Sequence, residues 1–251
     1  MKIVVLLSAV PDTTVRVQLS PEGVPQLSEV PLVINPWDEL ALTRALELKE
    51  EAAGVVERVE VLHAGPAAHE NVLRRALAMG ADEAIRLDTS PQDATSAAAA
   101  LAEWLKDHPA EIILAGIESS DYNGGATGMR VARRLGIRPV GGVTALQVEG
   151  ETVLLTRELE GMREVLQVTV PLLAVVQKGI AREPRVPSMR GIMMARRKTI
   201  TVVPVPAAEP WVRTSRYAMP PGKPPVKMIP AERAEEILEL LEKEAKVIRF
   251  S

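Results

Sequence analysis

The chain has 251 residues, of which 47% are hydrophobic and 25% are charged, and its formal net charge is -3. A chain of this length can bury a full core, and so small a net charge gives no global field of the kind that draws a protein to nucleic acid or acidic lipid. The sequence contains no cysteine, which excludes disulfides, thiolate metal sites and cysteine nucleophiles and is typical of a reducing compartment.

The first residues and the aromatic content narrow the class of protein further. The apolar run over residues 3–7 is too short for a secretory signal or a membrane span, so we expect no membrane insertion. No transit peptide precedes it, and we expect the cytoplasm of a bacterium or archaeon rather than a mitochondrial matrix. Aromatic residues make up only 2% of the chain, too few for the stacking platforms that hold single-stranded nucleic acid, so we expect no nucleic-acid partner.

Through the first half of the chain, apolar runs of strand length alternate with segments of helical period, a pattern typical of βαβ units on a parallel sheet. Residues 3–10 are predicted as a buried first strand, and 15–19 with 30–34 as a partly exposed hairpin. The elements predicted next are strands at 56–62, 83–87 and 111–115, alternating with helices at 35–54, 67–79, 92–108 and 129–135.

The helix that starts at Asn35 has a strong initiation signal. Asn35 can serve as the cap, and Pro36 stands at the first helical position, where its missing N–H costs nothing. Asp38 lies three residues after the cap, where a carboxylate can reach back to it.

From residue 141 the apolar period changes to two, which predicts added antiparallel strands at 143–148, 152–155 and 165–170. Residues 172–176 are apolar enough for the centre of the sheet. The predicted fold is therefore α/β: a mostly parallel sheet with helices on both faces, a Rossmann-like three-layer sandwich, with added antiparallel strands and an extended C-terminal arm.

The arm is predicted from proline density, since eight of the 20 prolines fall between Pro204 and Pro230. Residues 231–246 beyond it are predicted as a helix. We therefore divide the chain into a nucleotide-binding domain, 1–203, and an arm with its helix, 204–251. Such an arm docks either on its own domain or on a partner subunit, and composition leaves both open.

The loop over residues 116–128 follows a predicted parallel strand and opens a helix. Its small residues leave backbone N–H groups bare at the positive end of that helix, where phosphate binds. The run Gly-Gly-Ala-Thr-Gly within it is neither a GxGxxG fingerprint nor a Walker A loop, so ordinary turn glycines are an equally good interpretation.

Residues 178–198 are predicted as a basic loop with an apolar tip, because seven Lys or Arg residues face a single acid, Glu183, and three methionines lie among them. Unbranched methionines adapt to differently shaped apolar surfaces, so one interpretation is a docking loop for several acidic partners. The other, equally weighted, is a solvated loop with its apolar residues turned inward.

Templates for catalysis are missing from the sequence. There is no Gly-x-Ser-x-Gly elbow and no His, Asp or Glu cluster with metal spacing, and His63, His69 and His108 are scattered, as ordinary histidines are. We expect a binding protein and not an enzyme.

Several stretches in the same order resemble the β subunit of electron transfer flavoprotein over nearly the whole chain. The most specific are Arg-Glu-Leu-Glu-Gly at 157–161, Glu-Val-Leu at 164–166 and Pro-Leu-Leu-Ala-Val-Val at 171–176. Similar stretches also occur at 35–39, 65–66, 76–82, 121–128, 183–185 and 192–195.

The resemblance implies that this subunit buries an AMP. The residues that would surround it are Leu6, Asn35, Pro36, Trp37, Asp38, Glu39, Ala64, Ser119, Asp121, Tyr122, Asn123, Gly124, Gly125, Ala126 and Thr127.

The resemblance also implies a heterodimer with an α subunit that carries most of the FAD contacts, and electron flow from primary dehydrogenases, such as those acting on acyl-CoA, to a membrane quinone oxidoreductase. Thr13 would lie near the FAD, and Glu158 would face an arginine of the mobile flavin domain. The residues implied in partner recognition are Met189 as the anchor, with Arg185, Arg190, Ile192 and Met193.

Three departures from the family pattern involve four residues. Gly125 and Ala126 replace a frequent Asn-Gln, Thr13 replaces a tyrosine and Met189 replaces a leucine. We also weigh two rival classes. An adenylating ATP pyrophosphatase needs a Ser-Gly-Gly-type loop after its first strand, which residues 8–12 lack, and a stand-alone nucleotide-sensing stress protein has no use for the arm.

Overall fold

The computed structural model describes residues 1–27, 30–51, 54–223 and 225–249, which form two compact units, Met1–Tyr217 and Ala218–Ser251. The strands are β1 (Lys2–Leu6), β2 (Ala9–Pro11), β3 (Leu32–Ile34), β4 (Arg58–Ala64), β5 (Glu83–Asp88), β6 (Ile112–Gly116), β7 (Arg138–Glu149), β8 (Thr152–Leu159), β9 (Met162–Thr169), β10 (Leu172–Val176) and β11 (Ile200–Pro204). The helices are α1 (Pro36–Glu51), α2 (Glu70–Met79), α3 (Ala94–Asp107), α4 (Thr127–Leu135), α5 (Met189–Arg197) and α6 (Glu236–Lys243).

Within those described residues, nine strands form one sheet in the order β11-β5-β4-β1-β6-β10-β7-β8-β9. The strands from β11 to β7 are parallel, and β7, β8 and β9 form an antiparallel meander at one edge. β2 and β3 pair separately as a small antiparallel sheet.

Two apolar layers cover the two faces of the sheet. In β1, Ile3 and Val5 belong to one buried cluster while Val4 and Leu6 belong to the other, as the alternation of side chains along a strand requires. The first cluster includes side chains of α1, α2 and α5, and the second those of α3 and α4. The predicted α/β sandwich is therefore confirmed, with β10 inside the sheet between β6 and β7.

The predicted first strand and hairpin are partly wrong. The chain leaves the main sheet after Leu6, and Ala9–Pro11 forms β2, which pairs with β3 and not with residues 15–19. The cause lies at Ser8, whose N–H is taken by the Asp38 carboxylate and is not used to continue a strand.

Two elements in the segment after β10 were not predicted. Residues 178–198 contain the helix α5 and not only a loop, because Ser188 caps it by accepting a hydrogen bond from the Gly191 N–H at 3.0 Å. The strand β11 extends the sheet beside β5. The chain then stays on the first unit as far as Tyr217, with Val205 packed against the core.

The second unit, described by itself, contains a 3₁₀ turn at Ala231–Arg233 and then α6. The predicted helix at 231–246 is therefore shorter than expected, and its start lacks a side-chain cap. None of the helices in the described part of the chain is long and apolar enough to cross a membrane.

Candidate nucleotide-binding site

The residues predicted to hold a nucleotide meet at the carboxyl ends of the central strands. From β1 the chain adds β4 and β5 on one side and β6 and β10 on the other, so the strand order reverses between β1 and β6. Open parallel sheets bind ligands in the crevice at such a switch point. Leu6 ends β1 and Ala64 ends β4, and the loop 117–126 starts from β6.

Asn35 joins both sides of this crevice. Its N–H donates to the Ser8 carbonyl at 2.9 Å, its Nδ2 donates to the Glu118 carbonyl at 2.8 Å, and its Oδ1 accepts from the Ser120 N–H at 3.2 Å. The side chain, buried at 1% exposure, is thus used by the neighbouring loop. Pro36 does occupy the first position of α1, as predicted.

Asp38 is turned into the protein. Oδ2 accepts from the Ser8 N–H at 2.8 Å and Oδ1 from the Gly116 N–H at 2.9 Å. The predicted reach back to the helix cap is therefore wrong, because the carboxylate satisfies two N–H groups at the strand ends. Burial raises the pKa of Asp38 to about 6, although the hydrogen bonds from Ser8 and Gly116 oppose the increase.

The other members of this helical turn face outward to different degrees. Pro36 is exposed and Trp37 is half-buried. Glu39 forms an ion pair with Arg75 of α2, at 2.8 Å between Oε1 and Nη2. The side chain of Glu39 is therefore held towards α2.

The loop between β6 and α4 is curled by its own backbone. The Asn123 N–H donates to the Ser119 carbonyl at 2.8 Å, and the Tyr122 N–H donates to the side chain of Asp121 at 2.8 Å. Gly125 has a φ value of 57°, which glycine adopts without strain. Asn123 has a φ value of 49°, in the left-handed region that asparagine visits more readily than most residues. The residues that stand exposed at the surface are Asp121, Tyr122, Asn123, Gly124 and Gly125.

This loop delivers the amino end of α4 to the crevice. Ala126 precedes the helix and provides no side-chain cap, so the first N–H groups of Thr127 and its successors remain for another acceptor. The end of α4 lies close to the sheet because Gly128 has no side chain: a Cβ there would come within 3.1 Å of Ala115 Cβ. Together these features make a site suited to an anion.

A histidine pair, not predicted from the sequence, lies beside the same strand ends. His63 Nδ1 is 2.8 Å from the Leu7 carbonyl, and His63 Nε2 is 2.9 Å from His69 Nδ1. Burial lowers the pKa of His63 to about 4, against the opposing effect of the Leu7 hydrogen bond. Gly65 covers the pair, since a Cβ at that position would lie 2.1 Å from His63 Nε2. Throughout the described residues, no three His, Cys, Asp or Glu side chains are grouped to hold a metal ion.

The first part of the proline-rich arm contacts the cap of α3 and the loop that leads into α4. The N–H groups of Trp211 and Val212 donate to Asp93 Oδ2, the cap of α3, at 2.8 and 3.2 Å. Burial raises the pKa of Asp93, but these two hydrogen bonds and those from Ser96 lower it by more, so the pKa stays well below its ordinary range. The Tyr217 hydroxyl lies 3.5 Å from that of Tyr122, a long contact.

The residues predicted for partner recognition lie on α5 and just before it. Met189 is 76% exposed and begins the helix, and Met193 and Ile192 also stand at the surface. Arg190 is exposed, whereas Arg185 forms an ion pair with Glu50 of α1 at 2.7 Å. The structure therefore brings the apolar residues of this set together on one helix.

α5 is fixed to α2 by its small residues and by its carboxyl end. Ala195 is buried, and a Cβ on Gly191 would come within 2.4 Å of the Ala78 carbonyl oxygen. Arg74 of α2 donates to the Ala195 carbonyl at 2.6 Å. The helix is thus held close without burying its methionines.

Two predicted positions lie away from the crevice strands. Thr13 is exposed in a turn after β2. Glu158, on β8, stands opposite Arg163 of β9 and forms an exposed ion pair with it at 3.3 Å. Such pairs contribute little to stability, so Glu158 can exchange this partner at small cost.

A groove of about 570 Å³ lies at the other edge of the sheet, among the amino ends of its strands. Lys2, Arg58, Glu60 and Trp104 are among its lining residues, and Arg58 Nε is 2.8 Å from Glu60 Oε1. Both basic residues, Lys2 and Arg58, are engaged in ion pairs with acids of the same groove, Glu60 and Glu83. Parallel sheets bind nucleotides at their carboxyl ends. The crevice between β1 and β6 is therefore the better candidate for a nucleotide site.

Comparison with known proteins identifies relatives along most of the chain. The sequence profile described as "Electron transfer flavoprotein domain" matches residues 26–208. The electron transfer flavoprotein subunit beta of Bacillus subtilis is 36% identical over 230 residues, covering 86% of this chain and 88% of the relative. That of Syntrophomonas wolfei is 36% identical over 226 residues, covering 89% and 87%.

A third relative is named as a subunit of the caffeyl-CoA reductase-Etf complex of Acetobacterium woodii. It is 34% identical over 207 residues, covering 80% of this chain and 78% of the relative. The resemblance seen in the sequence motifs is confirmed by these matches.

Proposed function

We propose that the chain, which belongs to the electron transfer flavoprotein family as a β subunit of this electron carrier, binds AMP. The proposed site is the crevice between β1 and β6. The observation that carries the proposal is the uncapped amino end of α4 at the switch point of the sheet. Its N–H groups and helix dipole suit the phosphate, and the turn Asn35 to Glu39 together with Ala64 would line the remainder of the ligand.

The AMP proposal is tested by what the protein releases. Purified full-length chain, never exposed to denaturant before, should release stoichiometric AMP when it is denatured, as read by chromatography of the supernatant. If neither AMP nor another adenine nucleotide is found, the proposed site is wrong.

A pair of glycine substitutions locates the nucleotide. Gly125 and Gly150 have similar φ values, 57° and 60°, so alanine strains both backbones alike. Only Gly125 lies in the loop that leads to α4. Gly125→Ala should therefore lose most of its AMP, because the added strain and Cβ disturb the close approach of the phosphate, while Gly150→Ala should keep it. Equal AMP content in both variants would contradict this placement.

We further propose that the subunit helps an α subunit to hold FAD in a heterodimer, with Thr13 near the flavin and Glu158 facing the mobile flavin domain. The exposure of both side chains supports these roles. The relatives are bacterial, which supports a cytoplasmic location in a bacterium or archaeon.

Docking of primary dehydrogenases is assigned to α5. Its exposed methionines and Ile192 supply an adaptable apolar surface, and Arg190 supplies positive charge beside it. Electrons would pass from the dehydrogenase to FAD and then to a membrane quinone oxidoreductase.

A further inference from the structure

We infer that Asp38 is a positioning residue for the nucleotide: its carboxylate clamps the two strand ends that border the crevice and so fixes the crevice before the ligand arrives. This inference rests on the proposed AMP site but assigns Asp38 a different role from direct contact with AMP. Both of its oxygens are already engaged with backbone N–H groups inside the protein.

The clamp lies where pairing between β1 and β6 stops. The ladder runs only as far as Val5 opposite Leu114. Beyond that point, the residues after β1 pair with β4 and those after β6 pair with β10. The Leu7 N–H donates to the Leu62 carbonyl at 2.9 Å, and the Ile117 N–H donates to the Val176 carbonyl at 2.8 Å. The two strands therefore separate, and the Ser8 and Gly116 N–H groups donate to a side chain instead of to a carbonyl of the opposite strand.

The carboxylate of Asp38 fills this gap. It accepts one N–H from the β1 side, at Ser8, and one from the β6 side, at Gly116. A carboxylate suits the position because both of its oxygens are acceptors, whereas an asparagine would turn an NH₂ group towards one of the two donors.

Gly116 leaves the room that the clamp needs. A Cβ on that residue would lie 2.4 Å from Asp38 Oδ1 and 2.6 Å from Trp37 Cβ. The same helical turn carries Asn35, which binds the loop carbonyl of Glu118 and the N–H of Ser120. A shift of Asp38 would therefore be passed to the loop that leads into α4.

The test compares Asp38→Asn with Asp82→Asn in the full chain. Asp82 also accepts a backbone N–H, that of Val59 at 2.8 Å, but at the amino end of the neighbouring strand β4. Both variants should melt at a lower temperature than the wild type. Only Asp38→Asn should release labelled AMP faster, by about 10-fold, since one buried donor is left without an acceptor.

Equal AMP release from the two variants, while the wild type binds AMP, would overturn the clamp and leave the AMP proposal intact. A wild type that binds no AMP would overturn the AMP proposal, and the role of Asp38 towards it, together.

Amide hydrogen exchange of the wild type tests the clamp even if Asp38→Asn fails to fold. The Ser8 and Gly116 amides should be protected to the same extent after AMP is removed by dialysis as before. Protection that appears only with AMP bound would show that the ligand, and not Asp38, closes the gap.

Discussion

At the scale of single residues, His63 and Asp38 give the first unit two opposed dependences on pH. His63 has a folded pKa of about 4, below its ordinary value of 6.5, so its contribution to stability is lost as the pH falls through that range. Asp38 has a folded pKa of about 6, above its ordinary 3.8, so its contribution is present below pH 3.8 and is lost as the pH rises towards 6.

Because the two effects have opposite signs between pH 4 and 6, we expect them largely to cancel in the wild type. His63→Asn keeps a donor for the Leu7 carbonyl but removes the titrating group. Its free energy of unfolding should then fall by up to roughly 3 kcal/mol as the pH rises over that interval, through Asp38 and against the smaller opposite contribution of His69, whose pKa is also lowered by burial. Urea unfolding of both proteins across the interval measures this, and an equally steep fall in the wild type would contradict it.

The sequence indicates Asn35 and Asp38 as candidate site residues, but the contacts by which they join the β1 and β6 sides of the crevice were not predicted. Asn35 and Pro36 predict the start of α1 correctly because capping depends on neighbouring residues in the sequence. The Asp38 clamp depends on Ser8 and Gly116, which lie 30 and 78 positions away along the chain, so no local pattern encodes it. His63 and His69 pair because the turn after β4 brings them back together, and two histidines six residues apart carry no such signal by themselves.

At the scale of elements, predictability followed the apolar period. β10 was predictable because all five of its residues are buried and therefore apolar, which gives an uninterrupted apolar run in the sequence. α5 escaped prediction because Ala195 is its single buried residue and its apolar side chains face solvent. A helix that keeps its large apolar residues outside has no core-facing stripe for the sequence to reveal, and its exposed methionines instead indicate a surface for partners.

We expect Met189→Ala to slow electron transfer from a cognate dehydrogenase at subsaturating carrier. Truncating a central apolar anchor costs about 2 kcal/mol, which is about 30-fold in affinity. The matched control is Met162→Ala on β9, since Met162 is also exposed, at 63% against 76% for Met189. FAD content and melting temperature should not change in either variant. Equal transfer rates in the two variants would show that α5 is not the docking element.

At the scale of the whole molecule, the chain consists of a unit that contains the crevice and of a second unit, Ala218–Ser251, that begins within the proline-rich arm. The first part of that arm belongs to the first unit, because Trp211 and Val212 bind Asp93. The second unit exposes apolar side chains, among them Met228 and Leu238, for which nothing in its short helix provides a core. Such surface suits a partner chain.

Removing the second unit should therefore separate folding from assembly. A chain that ends at Tyr217 keeps every strand of the main sheet and the whole crevice proposed for AMP, so it should melt as the full chain does and retain AMP. Co-expressed with its α subunit, it should fail to copurify with that subunit and with FAD, as measured by the visible flavin spectrum of the purified material. Full-length chain with Ile237→Ser and Leu238→Ser is the matched variant, because it tests whether the apolar residues of α6 make the contact. Stoichiometric flavin in the truncated preparation would mean that the partner is held by the first unit, and that the arm beyond Tyr217 is not the element that joins the two subunits.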